Sequence, residues 1–540
     1  MPVTPTYPGI YIQELLSNSH TITAAPMSVT VFVGYTHPYK TPPANFLQAM
    51  EIFSAQDYQR LFGGQFSVDW LADDVGQAVN EFFLNGGSTA YVVGLQAQFY
   101  DLTTKTASAI PQPVLTIPGT AGGTGIMFTG LEPVDGTKQL TVSITNPRPS
   151  TGSAVNDLAD IIITYGSTTE AYRRVTLNPT PGPVDVGNTL ELRIGTVAAP
   201  VSSLVTVSEP SGDTYPTFWP FALAPTPLAM VMPSDPFTTY EPGDFAPAFA
   251  QDSSLDKVQI FNLLLTPGIW DLPVVSEALA FCERKLAFMV MDPPADAAAD
   301  YSSSPLPLIG DIMTDAVPGR TIPKSQNGAL YFPYLRNEDA NGNPITVAPS
   351  GYVAGIMSTV DTNRGVWKAP AGLETLLNDT SGVVPSGVMT DLRQGTLNPI
   401  GVNCLRGFPA IGTVVWGART SVAANPAFQQ YRYVPVRRMA LFIEQSLVSS
   451  LGWVVFEPND TPLWVSIRTT INNFMLSLFN QQAFAGTTPS QAFQVVCDAT
   501  TTTPADQANG IVNIVVAFAP LMPAEFVVIQ IAQLAGQPSS

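Results

Sequence analysis

Histidine is almost missing from this sequence: His20 and His37 are the only two in 540 residues. Catalytic triads, imidazole-ligated metals and most proton shuttles need a histidine beside a partner, and both of these sit near one end of the chain. No HExxH, GxSxG or DxDxDG pattern occurs, and His and Cys never fall at metal-ligand spacing. The expectation is no catalytic residue, no metal site and no cofactor. Cysteine is scarce too. Cys282, Cys404 and Cys497 are odd in number and far apart, which excludes a disulfide framework and fits a reducing compartment. Without nearby bases they read as small buried hydrophobes rather than nucleophiles.

Charge is sparse, at 12% of residues, and what there is leans acidic, to a formal −19. Phosphate backbones require clustered Lys and Arg, so nucleic acid is not an expected partner. Long apolar runs are also lacking. The nearest, Ile511 to Leu534, is broken by Pro520, Pro523 and Glu525 and reads as two strands, so no membrane insertion is expected. The opening MPVTPTYPG has neither a basic nor an apolar signal-peptide region, which predicts no secretory leader. The Gly-rich AGGTG at Ala121 to Gly125 lacks the GK[ST] of a phosphate loop and reads as a turn.

What is present is apolar surface. Hydrophobic residues make up 45% of the chain and mean hydropathy is +0.17. So little charge cannot cover the surface of a monomer, which implies extensive subunit contacts. The 50 prolines and 41 glycines, spread along the chain, point to many turns and short strands.

The pattern alternates strand and helix early on. Val29 to Tyr35 and Ala90 to Leu95 read as buried strands, Ile52 to Ser54 as a short one, and Ala55 onward and Asp73 to Leu84 as helices. From about Gln98 to Pro220 the texture changes to Thr, Pro and Gly. Short strands are expected at Leu140 to Ile144, Asp160 to Gly166, Tyr172 to Leu177 and Thr189 to Ile194, as in a β-sandwich inserted into the α/β layer. Strand and helix alternate again with strands at Val258 to Leu265, Leu286 to Met291 and Ala329 to Tyr334, around a helix at Val274 to Lys285.

The C-terminal third reads as an α+β unit. Thr413 to Trp416 and Trp453 to Phe456 are expected strands, and Val436 to Ser450 a helix with Val436, Met439, Ala440, Ile443 and Leu447 on one face. Thr461 is placed to cap a second helix that Pro462 begins, with Trp464, Ile467, Ile471, Phe474, Met475 and Leu478 on its buried stripe. Asp460 and Glu457 read as turn or capping chemistry, and Asp361, Arg364 and Lys368 as a surface or interface charge cluster. Trp416, Trp453 and Trp464 read as core. Further strands are expected at Phe493 to Asp498, Gly510 to Ala517 and Glu525 to Ala532. Tyr7 to Leu15 forms another at the opposite end.

The wording of these segments resembles a known family. VVWGART, VRRMALFIEQS, FEPND-x-x-LW and APLMPAEF are similar to the C-terminal domain of contractile tail sheath proteins, found in contractile phages and related bacterial injection systems. FSAQDYQRLFGG, VNEFFLNGGSTAYVV and PSGYVAGIMSTVDTNRGVWKAPAG resemble the sheath core, and YPGIYIQE its N-terminal arm. The resemblance covers about three-quarters of the chain and is weakest from Gln98 to Pro220. It implies five regions: an arm (1–20), an α/β core in two parts (21–97 and 221–370), an inserted β-rich outer domain (98–220), and a C-terminal domain with a terminal strand arm (371–540).

The implied function is structural: a subunit polymerising as a helical tube of hexameric rings around an inner tube, whose contraction drives that tube through a target envelope. Implied partners are other copies or paralogous sheath subunits, the inner tube protein, the baseplate, and a terminator or cap. Assembly is implied in the bacterial cytoplasm, within a virion tail or an injection particle. Inter-subunit contacts are expected at Tyr7, Ile10, Tyr11 and Ile12 and at Glu525, Phe526, Val527, Val528 and Ile529. Inner-tube contacts are expected at the exposed helix positions Arg437, Glu444, Arg468 and Asn472. The alternatives left open are a secreted hydrolase with a β-sandwich accessory domain, and an adhesin or capsid-like shell protein.

Overall fold

The structure, a computed structural model, describes residues 20–117, 125–177, 181–208, 222–294, 323–339, 342–384 and 389–530. Two compact units result. The larger comprises residues 27–364 and 369–437, and the smaller 365–368 and 438–540 with the N-terminal residues to 26. The predicted arm strand Tyr7 to Leu15 and most of the Gly-rich turn at 121–125 lie outside the described residues.

An eight-stranded sheet organises the larger unit. Its order is 50–52, 90–95, 30–35, 263–265, 288–291, 328–332, 402–408, 412–415. The six inner strands are parallel, and the two edge strands run antiparallel to their neighbours. Strands such as Thr30–Tyr35 and Gly328–Phe332 are buried at every position, as a sheet covered on both faces requires. Helices Asp74–Leu84, Leu272–Lys285 and Ser350–Arg364 supply that cover.

Two of these helices meet through small residues. A Cβ on Gly351 would lie 2.5 Å from the Ala78 carbonyl oxygen, and one on Gly355 2.7 Å from that of Phe82. One turn apart, the two glycines let the backbones touch; any side chain there would force the helices apart.

The inserted domain is a two-sheet sandwich. Strands 168–176, 158–165, 140–148 and 223–227 form one sheet, and 205–208, 126–130 and 114–117 the other. Between them lie Phe128, Val142, Ile144, Ile161, Ile163 and Val207. Strand Leu223–Pro227 completes the larger sheet, so the sandwich draws on residues past Pro220. Thr189 to Ile194 is not the expected strand. Leu190–Ile194 is a short helix burying Leu190 and Ile194, four apart, with Leu192 exposed; the alternation of bulky residues at 190, 192 and 194 is what reads as a strand.

Strands 402–408 and 412–415, which the sequence pattern groups with the C-terminal unit, extend the large sheet instead. Leu330 pairs with Val402 and Phe332 with Cys404 in parallel register. The expected strand Val258 to Leu265 shortens to Leu263–Leu265.

The smaller unit is built on the helix Thr461–Asn480 and, from Arg438, the helix Val434–Ser450. All six predicted stripe residues of the former are buried, from Ile467, Ile471 and Met475 at 0% exposure to Trp464 and Phe474 at 6%. The cap is Asp460, one residue before the predicted Thr461: its carboxylate accepts from Leu463 N at 3.1 Å. Trp453 to Phe456 is not a strand. Gly452–Val454 is a 3-10 turn, and Phe456 stands fully exposed with φ of 72°. The β-branched run is overridden because Pro458 and the helix start leave it too short to pair. Residues 20–26 run beside the helix Val434–Ser450, with Thr23 N and Ala25 N donating to Ser450 Oγ and Ser446 Oγ.

Candidate assembly surfaces

The smaller unit carries a ribbon of only two strands, Phe493–Val496 and Val515–Phe518, antiparallel with Val495 opposite Val516. Among the described residues each strand has one ladder partner, so each has an outer edge without one. Isolated two-stranded ribbons are marginal in water, and such edges accept further strands. The second strand starts later than the sequence expected, because 510–514 forms a turn and an irregular approach.

Beyond it, residues 521–530 form no strand among the described residues, although Glu525 to Ala532 has a strand's composition; 531 and 532 lie outside the described residues. Phe526, Val527, Val528 and Ile529 are 72–82% exposed. Four consecutive large apolar side chains this exposed mark a candidate interaction surface. Of the expected arm residues, Tyr7, Ile10, Tyr11 and Ile12 lie outside the described residues.

The four expected inner-tube contacts divide. Arg437 is not exposed: it is 7% accessible, its Nε donates to Asn327 Oδ1 at 3.0 Å, and its guanidinium lies 4.9 Å from the Tyr431 ring centre. Its helix is buried on almost every face from Val434 to Ile443, so the period that located one apolar stripe could not reveal a second covered face. Glu444 and Asn472 are half-buried. Arg468 is half-exposed on the other helix, with Asp498 Oδ2 at 3.9 Å, the outer limit of an ion pair. The Asp498 carboxyl is held below its usual range chiefly by the Thr500 hydroxyl and amide, with Arg468 a smaller cause.

Both histidines and two of the three cysteines have defined surroundings. His37 Nδ1 accepts from the amides of Tyr39 and Lys40 at 3.2 and 3.1 Å, which fixes the proton on Nε2, facing Glu132 at 3.4 Å. Burial depresses the His37 pKa further, so this is a neutral imidazole. Lys40 pairs with the same carboxylate. Burial alone would raise Glu132, but His37 and Lys40 outweigh it and hold it ionised. His20 stacks on Trp453 at 3.8 Å between ring centres. Cys282 and Cys404 are fully buried; burial pushes the Cys404 thiol up to about 12 and Cys282 higher still, which disfavours the reactive thiolate. Of the predicted charge cluster, Asp361 is buried, and Arg364 reaches Glu374 at 3.1 Å on the surface. Trp464 is core and donates to Asn459, whereas Trp416 and Trp453 are only half-buried.

Against solved structures, the chain matches contractile sheath proteins over nearly its full length. It covers 98% of itself and 100% of the helical sheath of the anti-feeding prophage in its contracted state, with 22% identity and a TM-score of 0.54. This is a contractile-sheath fold. The sheath complex of the PVC extracellular contractile injection system, also contracted, matches at 20% identity and a TM-score of 0.53, over 98% of this chain and 99% of that one. The sheath tail protein of Desulfitobacterium hafniense matches at 13% identity and 0.51, over 95% and 100%. No protein-family model and no curated protein matches the sequence. The sheath fold includes the inserted sandwich region, where the sequence resemblance was weakest. Among the described residues no helix is long and apolar enough to cross a membrane.

Proposed function

We propose that this chain is the structural subunit of a contractile sheath. The observation that carries the reading is a sheath fold over 98% of the chain, joined to an open two-stranded ribbon and an exposed apolar segment at 526–529. Copies polymerise as hexameric rings stacked into a helical tube around an inner tube and anchored on a baseplate. Contraction drives the tube through a target envelope. No nucleotide is spent at that moment, because the extended assembly is metastable and the contracted one lies lower in free energy.

The terminal segments connect the copies. Ile10 and Ile12, with Tyr7 and Tyr11 on the other face, and the stretch Glu525 to Ile529 add as strands to ribbon edges of neighbouring subunits. Backbone hydrogen bonds supply affinity, and alternating side chains set register. Such strands travel as rigid units while the leashes beside them absorb the change in dihedral angles. The sandwich faces outward, and the Thr461–Asn480 helix, with Arg468 and Asn472, faces the tube.

Negative-stain electron microscopy of the purified chain tests this reading. Tubes or stacked rings are the expected result; discrete particles at all concentrations and salt conditions would sink it.

A further inference from the structure

The segment 372–382 covers one edge of the large sheet and runs between two hinge glycines. Gly372 and Gly382 have φ of 120° and 133°, and a Cβ on either would meet nothing, so packing fixes neither end. The first half of the segment caps the edge strand Gly412–Val415. Gly372 N and Leu377 N donate to the Val415 and Thr413 carbonyls at 2.9 and 2.8 Å, and Val415 N donates to Thr375 Oγ1 at 3.1 Å. The second half is tied to the C-terminal end of the helix Asp74–Leu84. There Asn378 N donates to Asn85 Oδ1 at 2.8 Å, and Asn378 Nδ2 to the Leu84 carbonyl at 3.3 Å.

Glu81, on that helix, is 0% exposed beneath this tie. Its Oε1 accepts from Asn337 Nδ2 at 2.8 Å and Asn80 Nδ2 at 3.2 Å. Asn337 Nδ2 has two hydrogens and faces three oxygens: Glu81 Oε1, the Tyr352 hydroxyl at 2.8 Å and Asp379 Oδ2 at 3.4 Å. The Tyr352 hydrogen is already given to the Asp379 carbonyl at 2.9 Å. The most distant oxygen, on the Asp379 carboxylate, is thus short of a hydrogen, and a protonated Glu81 can supply one. Asp379 itself is exposed and sits at φ of 58°, a left-handed conformation unfavourable for a residue with a side chain.

The other elements packed here bring no cation to Glu81. Strand Leu335–Glu338 offers Asn337, with Arg336 and Glu338 on the opposite face. Helix Ser350–Arg364 offers Tyr352, and strand Pro344–Val347 has no titratable residue. On helix Ala55–Phe62, Asp57 and Arg60 pair with each other, and Tyr58 senses Asp73 at the far end. Tyr35 of the strand Thr30–Tyr35 donates to Asp244. Burial first, and then the Asp379 charge, raise Glu81 from an ordinary 4.5 to about 8.

We propose that Glu81 and Asp379 form a proton-linked latch, in which neutral Glu81 donates to Asp379 and holds the cover 372–381 closed over the sheet edge. Opening the cover admits water to Glu81, which then releases its proton. The closed form binds the extra proton, so opening becomes easier as pH rises from about 4.5 to about 8, by up to about tenfold per unit, and levels off above. An uncovered edge strand accepts other strands. The latch lies within the large unit and stands independently of the sheath reading.

Hydrogen exchange of the full chain, read by mass spectrometry from pH 5.5 to 9 and corrected for intrinsic rates, tests it. Protection of residues 372–381 should fall at least tenfold between pH 5.5 and 8 and then level, while strand 90–95 keeps its protection. Glu81→Gln, which donates as the neutral acid does, should make the protection independent of pH. Asp379→Asn, at an exposed position, removes the repulsion and should shrink the fall severalfold even where the glutamine variant folds poorly. A flat profile in the wild type, the same fall in the Asp379→Asn variant, or an equal fall in strand 90–95 overturns the latch.

Discussion

The neutral imidazole of His37 donates to Glu132 at 3.4 Å, and Lys40 closes on the same carboxylate. His37 and Lys40 follow the first strand of the large sheet, while Glu132 belongs to the inserted sandwich. A second buried pair, Lys138 with Asp339 at 3.1 Å, repeats the connection, and Trp70 Nε1 donates to the Val134 carbonyl beside it. The sandwich is therefore clamped at its neck. Removing Glu132 leaves Lys40 without its carboxylate partner in a largely buried place, so Glu132→Ala should cost about 3 kcal/mol in chemical denaturation. Glu132→Gln should cost less, because it still accepts from His37. A loss below about 0.5 kcal/mol for the alanine variant would mean that the neck is not a clamp.

Gly351→Ala tests the close helix approach. A methyl group 2.5–2.6 Å from Ala78 backbone atoms cannot be absorbed by a side-chain rotation. The expected loss is about 1–3 kcal/mol, read as a lower midpoint in urea. Gly136→Ala, where a Cβ meets nothing, is the matched control and should change little.

The buried acids set a pH dependence of unusual sign. The folded-state pKa values of Asp74 and Asp292, about 7 and about 6, lie above those of an unfolded chain, near 3.8. The folded form thus holds extra protons between about pH 4 and 7, and this contribution to stability falls as pH rises through that window. Asp74→Asn should flatten the decline by on the order of 1–3 kcal/mol between pH 4.5 and 8, since the residue is only half-buried and part of the shift is screened. An unchanged slope in pH-resolved denaturation would contradict it.

Arg468→Glu should leave the subunit folded and weaken assembly on the inner tube. Its ion pair with Asp498 is long and half-exposed, so the thermal midpoint should barely move. Normal sedimentation of sheath with tube across a range of salt would remove Arg468 from that surface.

The sequence was most legible where one period dominates. The stripe from Trp464 to Leu478 and the strands 30–35 and 90–95 stand where alternation and periodicity put them. It was least legible where composition serves two structures. Leu190, Leu192 and Ile194 alternate as a strand's residues would, yet the helix turn buries only Leu190 and Ile194, four apart, and 453–456 has strand composition but forms no strand. Arg437 misled because a charged residue on a helix reads as solvent-facing unless its partners, Asn327 and Tyr431, are seen to lie across it.

The central claim concerns the ribbon at 493–496 and 515–518. A helical cryo-EM reconstruction of the assembled chain tests it most directly, with parallel samples lacking residues 1–15 or carrying Ile10→Asp with Ile12→Asp, and Val527→Asp with Ile529→Asp. Val527 and Ile529 are exposed in the single chain, so their replacement should leave circular dichroism and thermal midpoint within about 0.5 kcal/mol of wild type. The account predicts a ribbon in every subunit widened by strands from neighbouring copies, and no tubes from the variants. Contractile tubes of normal length from the truncated chain, or a ribbon that stays two-stranded inside the tube, would contradict it.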